Sequence, residues 1–176
     1  MPASVAAMPV ETLNYILALG TLTLQVVTAG FLVAYIFRID IGIPISRFGL
    51  WIGFTLTFFG GLINFYYSDV LGFAACWHCW VQRIFFTSQA VLFAVALWKK
   101  DRSIADYSIA LSCFGLIDAL YHHTLQVFPG AGLPCPATGP SCSQITFLEF
   151  GYITYPLMAA SAFAFLIIVM LFVRRR

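Results

Sequence analysis

Four of the five cysteines fall into two pairs. Cys76 and Cys79 form a C-x-x-C in the run Cys76-Trp77-His78-Cys79-Trp80, and Cys135 and Cys142 lie in a Pro/Gly-rich stretch with six residues between them. Arg83 follows Cys79 by four positions, which on a helix puts the two on one face about 6 Å apart. A thiol at a helix N-terminus also feels the positive end of the macrodipole. Both effects would stabilise a thiolate at Cys79, the reactive form in disulfide exchange. Other uses of the same residues compete. Covalent haem attachment needs C-x-x-C-H, whereas here the histidine stands inside the motif. A zinc or copper site could be assembled from Cys76, Cys79, His78 and His122 or His123. Two plain structural disulfides would be the bland alternative.

The elements that must position these residues are membrane helices. Of 176 residues, 61% are hydrophobic and 9% charged, and the mean hydropathy is +0.93. A soluble domain runs at about 45–50% apolar and about 25% charged, so a soluble enzyme or binding module is excluded, and so is disorder. A net charge of +2 argues against a nucleic-acid partner. Spans of about 20 apolar residues are expected over 12–37, 48–68, 80–98, 103–125 and 150–173. Their length and all-round apolarity exclude the alternating ten-residue strands of a barrel. The first span lacks a basic n-region and is too long for a signal-peptide core, so it is expected to be a retained helix. The expected fold is one all-α integral membrane domain over 1–176, with five spans.

Orientation follows from Lys and Arg. Arg38 and Arg47, then Lys99, Lys100 and Arg102, then Arg174, Arg175 and Arg176 fall on one side of a five-span chain, which is therefore expected to be cytoplasmic. The N-terminus and the loops 69–79 and 126–149 are expected outside, and those loops contain no Lys or Arg. All four paired cysteines sit in or beside them, on the side where disulfides persist. Arg83 is the one basic residue that departs from this set; an ionisable residue in a span is a functional candidate, with a snorkelling anchor as the alternative. Cys113, in mid-span, is expected to be a small packing residue. Asp118 and His122, at i,i+4, are expected to face each other, as a self-satisfied pair or a proton path, and His78 to tune the thiolate. Pro156 is expected to be a tolerated kink in span five.

The run Cys76-Trp77-His78-Cys79-Trp80-Val81-Gln82-Arg83 resembles the C-x-x-C-x-x-Q-R signature of the DsbB/BdbC family of membrane disulfide oxidoreductases. Tyr121-His122-His123-Thr124 is similar to the family's Tyr-x-His-Thr segment, and a cysteine pair in the following loop completes the pattern. The loop pair follows the C-x-x-C here, the reverse of the order in vitamin K epoxide reductase-like proteins. The resemblance implies a DsbB-type four-helix bundle over 48–173, with 12–37 as an additional N-terminal helix. It implies an enzyme of a prokaryotic plasma membrane, in which Cys76, Cys79, Cys135 and Cys142 are catalytic. A DsbA-like thioredoxin-fold protein outside the membrane would be oxidised by Cys135 and Cys142, and the electrons would pass to Cys76 and Cys79. A membrane quinone, ubiquinone or menaquinone, would receive them at Cys79. Arg83 would stand near a quinone carbonyl, with Gln82 and the helix-four histidines around it, His123 foremost and His122 beside it. The close spacing of Cys135 and Cys142 resembles the short BdbC-type loop.

Overall fold

A computed structural model describes residues 10–39, 42–130, 134–135 and 139–175. The expectations that touch Arg176 and the loop positions 131–133 and 136–138 lie outside the described residues. The described residues form five long helices: α1 (Val10–Ile36), α2 (Gly42–Phe65), α3 (Trp77–Lys99), α4 (Ile104–Val127) and α5 (Tyr155–Arg174). Each is long and apolar enough to cross a membrane, so the fold is that of a multi-pass helical membrane protein. α2 runs on into one π-helical turn, Tyr66–Val70.

α5 is the central helix and is buried along most of its length, whereas α1 buries only Ala18, Thr21 and Ala34. α4 buries a stripe of small residues, Ala105, Ser108, Ser112, Gly115 and Ala119; Ser108 and Ser112 donate to Gln89 Oε1 of α3 at 2.7 and 3.1 Å, and Gly115 meets α5. Small residues allow close helix approach where lipid offers no hydrophobic drive. At Gly115 an added Cβ would lie 2.6 Å from the Phe163 ring, and that ring stacks on Phe86 of α3 at 4.6 Å. α3 turns its polar residues inward: His78, Gln82, Arg83 and Gln89 are buried, while Trp80, Ile84 and Val91 face out. Inward polar and outward apolar faces suit a lipid surrounding.

Three expectations are corrected. The fifth helix begins at Tyr155, not 150, because Leu148–Glu149 (β1) pairs antiparallel with Ile153–Thr154 (β2) through a turn with left-handed Phe150 and Gly151. Pro156 therefore sits in the first helical turn, behind the N-cap Thr154, where a missing N–H costs nothing and no kink is needed. Cys113 is exposed on the outer face of α4 rather than packed.

α1 is tied to the bundle by polar contacts. Gln25 donates to Ser161 Oγ at 2.9 Å and accepts from the Tyr152 hydroxyl at 3.1 Å. Nearer its start, Asn14 accepts from the Tyr67 hydroxyl. The N-terminal end of α1 thus lies at the end of the bundle that carries the cysteines. At the other end Arg174 pairs with Asp106 at 3.0 Å, and Arg175 lies over the Tyr35 ring.

Candidate redox site

α3 begins at Trp77, three residues before the expected start, and this decides which sulfur caps it. Cys76 is the N-cap, with extended backbone, and its Sγ accepts the Cys79 N–H at 3.4 Å. The helix-end effect, which sequence alone attached to Cys79, thus falls on Cys76, whose sulfur receives one N–H of the first turn. One turn of helix brings the two sulfurs to 2.8 Å. Cys76 lies one residue outside the span. Its thiol is held well below the ordinary range, by the Cys79 thiol first and by His122 after it, against the opposing effect of burial.

α4 supplies the facing wall. His122 Nε2 lies 3.4 Å from Cys76 Sγ, and His122 Nδ1 lies 3.3 Å from Gln82 Nε2. Gln82 Nε2 also donates to Asp118 Oδ2 at 3.4 Å, and Asp118 Oδ1 meets His78 Nδ1 at 2.7 Å. The expected Asp118–His122 pair is therefore replaced by a chain in which Gln82 stands between them, because the amide can reach both residues from α3. His78 does not touch a sulfur; it holds Asp118, and its ring stacks on His122 at 5.3 Å. His123 points the other way, its Nδ1 bonded to Thr154 Oγ1 at 2.7 Å, and it is not among the residues around the cysteines.

Arg83 is only 3% exposed. Its Nε donates to Asn64 Oδ1, and its Nη2 donates to the Asn64 carbonyl at 3.0 Å and to Ser68 Oγ. The π turn after Phe65 lets Asn64 and Ser68 converge on one guanidinium. The Phe65 and Trp80 rings lie over the same group at 4.7 and 4.8 Å. Of five N–H donors three are used, and Nη1 has no hydrogen-bond partner among the described residues. A cavity reached from the cysteine end is lined by Cys76, Cys79, Arg83, His122, Tyr67 and Tyr155. It offers a sulfur pair beside a cation with donors to spare, which suits a ligand that presents a carbonyl oxygen.

Cys135 and Cys142 form a disulfide. Cys142 is buried, 1% exposed, and packs in one cluster with Cys76 and Leu125, while Cys135 is half-buried. The loop is fastened by the Tyr121 hydroxyl, which donates to the Pro134 carbonyl at 2.7 Å, and by Gln126 Nε2, which donates to the Gln144 carbonyl at 3.1 Å. Two sulfur pairs thus share one end of the bundle, one beside the cavity and one above it.

Residues 46–173 match the family model of the disulfide bond formation protein DsbB. The chain belongs to the DsbB family. Within that family it is 37% identical, over 63% of its length and 75% of the relative's, to the SPbeta prophage-derived disulfide bond formation protein B of Bacillus subtilis. It is 33% identical to a probable disulfide formation protein of Oceanobacillus iheyensis, over 72% of its own length and 86% of the relative's. It is 32% identical to probable disulfide formation protein C 1 of Bacillus cereus, over 67% and 86%. No solved structure matches the chain. α1 lies outside the residues that the DsbB family model matches.

Sequence reasoning passed over Asn64, Ser68 and Tyr67. A signal for the first two was present: a buried arginine demands acceptors, and Asn64 and Ser68 are polar residues at i,i+4 near the end of span two, on the side of the bundle where Arg83 enters span three.

Proposed function

We propose that this DsbB-family protein is a thiol oxidase that reoxidises a DsbA-like, thioredoxin-fold dithiol protein outside the membrane and passes the electrons to a membrane quinone. The observation that carries this reading is that the two sulfur pairs share one cluster: Cys142 is buried in it with Cys76, while half-buried Cys135 and Cys79 pack against it. A partner thiolate attacks Cys135 Sγ, and the Cys135–Cys142 bond breaks to release Cys142 as thiolate. Cys142 attacks Cys76 of an oxidised Cys76–Cys79 pair, and Cys79 leaves with the electron pair. The partner's second thiolate attacks the mixed disulfide, leaves oxidised and frees Cys135. Cys135 then attacks Cys142, which restores the loop disulfide and leaves Cys76 and Cys79 reduced. A membrane quinone, ubiquinone or menaquinone, held in the cavity would supply the two-electron oxidant that restores the Cys76–Cys79 disulfide, with the donors of Arg83 Nη1 available to its carbonyl oxygen and Tyr67 and Tyr155 beside it.

The charge placement fits an N-terminus and cysteine loops outside the plasma membrane and a cytoplasmic C-terminus. α1 is read as an addition to the four-helix core. The test is to mix purified protein, a reduced thioredoxin-fold partner and a quinone, and to follow quinone absorbance. Consumption of one quinone per partner disulfide is expected; a partner that stays reduced while quinone persists would overturn the reading.

A second reading rests on a different observation. One ligand atom each from Cys76, Cys79 and His122 lie within 4.8 Å of one another, a soft three-donor set that suits zinc or copper(I). His78 and His123 are not part of that set. Stoichiometric metal in protein purified without chelator would favour that reading over the oxidase.

A further inference from the structure

The chain of hydrogen bonds behind the sulfurs has a direction, and the direction can be worked out atom by atom. An ionised carboxylate accepts and does not donate. Asp118 accepts from His78 Nδ1–H at Oδ1, so the partner at Oδ2 must be a donor. This fixes the Gln82 amide with its NH2 group toward Asp118, an orientation that its hydrogen-bond partners settle. The same NH2 faces His122 Nδ1 at 3.3 Å. An NH2 group has no lone pair to offer, so His122 Nδ1 must be the bare acceptor nitrogen. The ring proton of neutral His122 therefore sits on Nε2, the atom 3.4 Å from Cys76 Sγ.

We propose that Gln82 and Asp118 are positioning residues that hold His122 as the Nε2–H tautomer, so that its imidazole meets Cys76 Sγ as a hydrogen-bond donor. The burial of Gln82 and His122, 1% and 2% exposed, keeps water from supplying a substitute partner for Nδ1. His78 acts one step further back, by holding Asp118. The arrangement distinguishes the two sulfurs of the C-x-x-C: Cys76 receives the Cys79 N–H and the His122 N–H, and once both sulfurs are reduced negative charge is held there. It also opposes a metal at this place, because an Nε2 that carries a proton cannot ligate one.

This rests on the reading of Cys76 and Cys79 as a redox pair, yet its first test needs neither quinone nor partner. With only three histidines in the chain, nitrogen-15 spectra of histidine-labelled protein in detergent report each ring's tautomer. His122 is expected as Nε2–H in the reduced protein, and an Nδ1–H ring would overturn the proposal. Gln82→Met keeps length and burial but removes the NH2 group; the His122 ring should then lose its single tautomer. Alkylation of Cys76 by iodoacetamide at pH 5, read on the isolated peptide, should slow about tenfold. The tenfold figure is the low end for a hydrogen bond to a charged group. In a His122→Phe background the same Gln82→Met change should have no further effect on that rate. An equal slowing there would show that Gln82 acts on the thiol without His122, and would reject the positioning role. Zinc binding through His122 Nε2 would reject it as well.

Discussion

Replacing Arg83 by Met tests the reading of the cavity most directly. The substitution keeps the apolar stem and removes the guanidinium over which the Phe65 and Trp80 rings lie. Two consequences must be separated. The first is local: Asn64 Oδ1, the Asn64 carbonyl and Ser68 Oγ lose their donor. A buried acceptor left without a partner costs about 1–3 kcal/mol, although the half-buried Ser68 hydroxyl can accept from water instead. The variant should therefore melt earlier in detergent, with or without a ligand. The second is functional: the two N–H groups of Nη1 are lost to a carbonyl in the cavity. A hydrogen bond to a charged donor is worth about 1.5–3 kcal/mol, or about 10- to 150-fold in the quinone concentration needed for half-maximal turnover. Exchange between the partner and Cys135–Cys142 happens at the loop and should keep its rate. Arg83→Lys should recover only part of the loss. An ammonium has three donors and no planar fork, so it cannot hold Asn64 and Ser68 and still reach the ligand. Asn64→Ala, which leaves the charge but frees one side of the fork, should fall between the two. The assay is steady-state turnover against quinone concentration for the four proteins, with melting temperature recorded alongside. Turnover curves that superimpose, beside lowered melting temperatures, would refute the ligand role and leave Arg83 as a buried structural cation.

Cys142→Ser should leave Cys135 able to hold a mixed disulfide with the partner, seen as a heavier band on non-reducing gels, whereas Cys135→Ser should hold much less, because Cys142 is buried. Gly53→Ala should cost about 1–3 kcal/mol of stability, since the new Cβ would lie 2.6 Å from the Phe93 ring; an unchanged melting temperature would show that α2 and α3 can part. Cys76 titrates below the ordinary thiol range, so its thiolate stabilises the reduced protein fully above that range and progressively less as pH falls through the lowered value. The melting temperature of the reduced protein should thus drop relative to the oxidised protein on acidification, and equal slopes would contradict the cause assigned to Cys76.

The five spans were legible in the sequence because runs of about 20 apolar residues have few other homes. Their ends were less so. α3 starts three residues early because a sulfur can act as an N-cap, a role usually taken by Ser, Thr, Asp or Asn. α5 starts five residues late because a two-residue strand pair, too short to leave an alternating pattern, occupies Leu148 to Thr154. The pairing of cysteines by loop was visible from spacing and charge. The burial of Cys142 against Cys76 was not, because it depends on how Tyr121 and Gln126 fasten the loop from α4.

The histidines show where helical phase decides what composition leaves open. His122 and His123 are neighbours, and the match to a Tyr-x-His-Thr pattern points to the second. Neighbours on a helix differ by about 100° in direction, so only one of them can face α3. The buried stripe of α4 runs through Ala119, His122 and Gln126, at spacings of three and four. His122 lies on that stripe, and Gly115 extends it back toward the α5 contact. His123 falls outside it and finds Thr154, the cap of α5, instead. The same phase argument was available from the sequence through Gly115 and Ala119, small residues four apart that mark a contact face. Followed one turn further, that face leads to His122 and, across the interface, to Gln82 and Cys76.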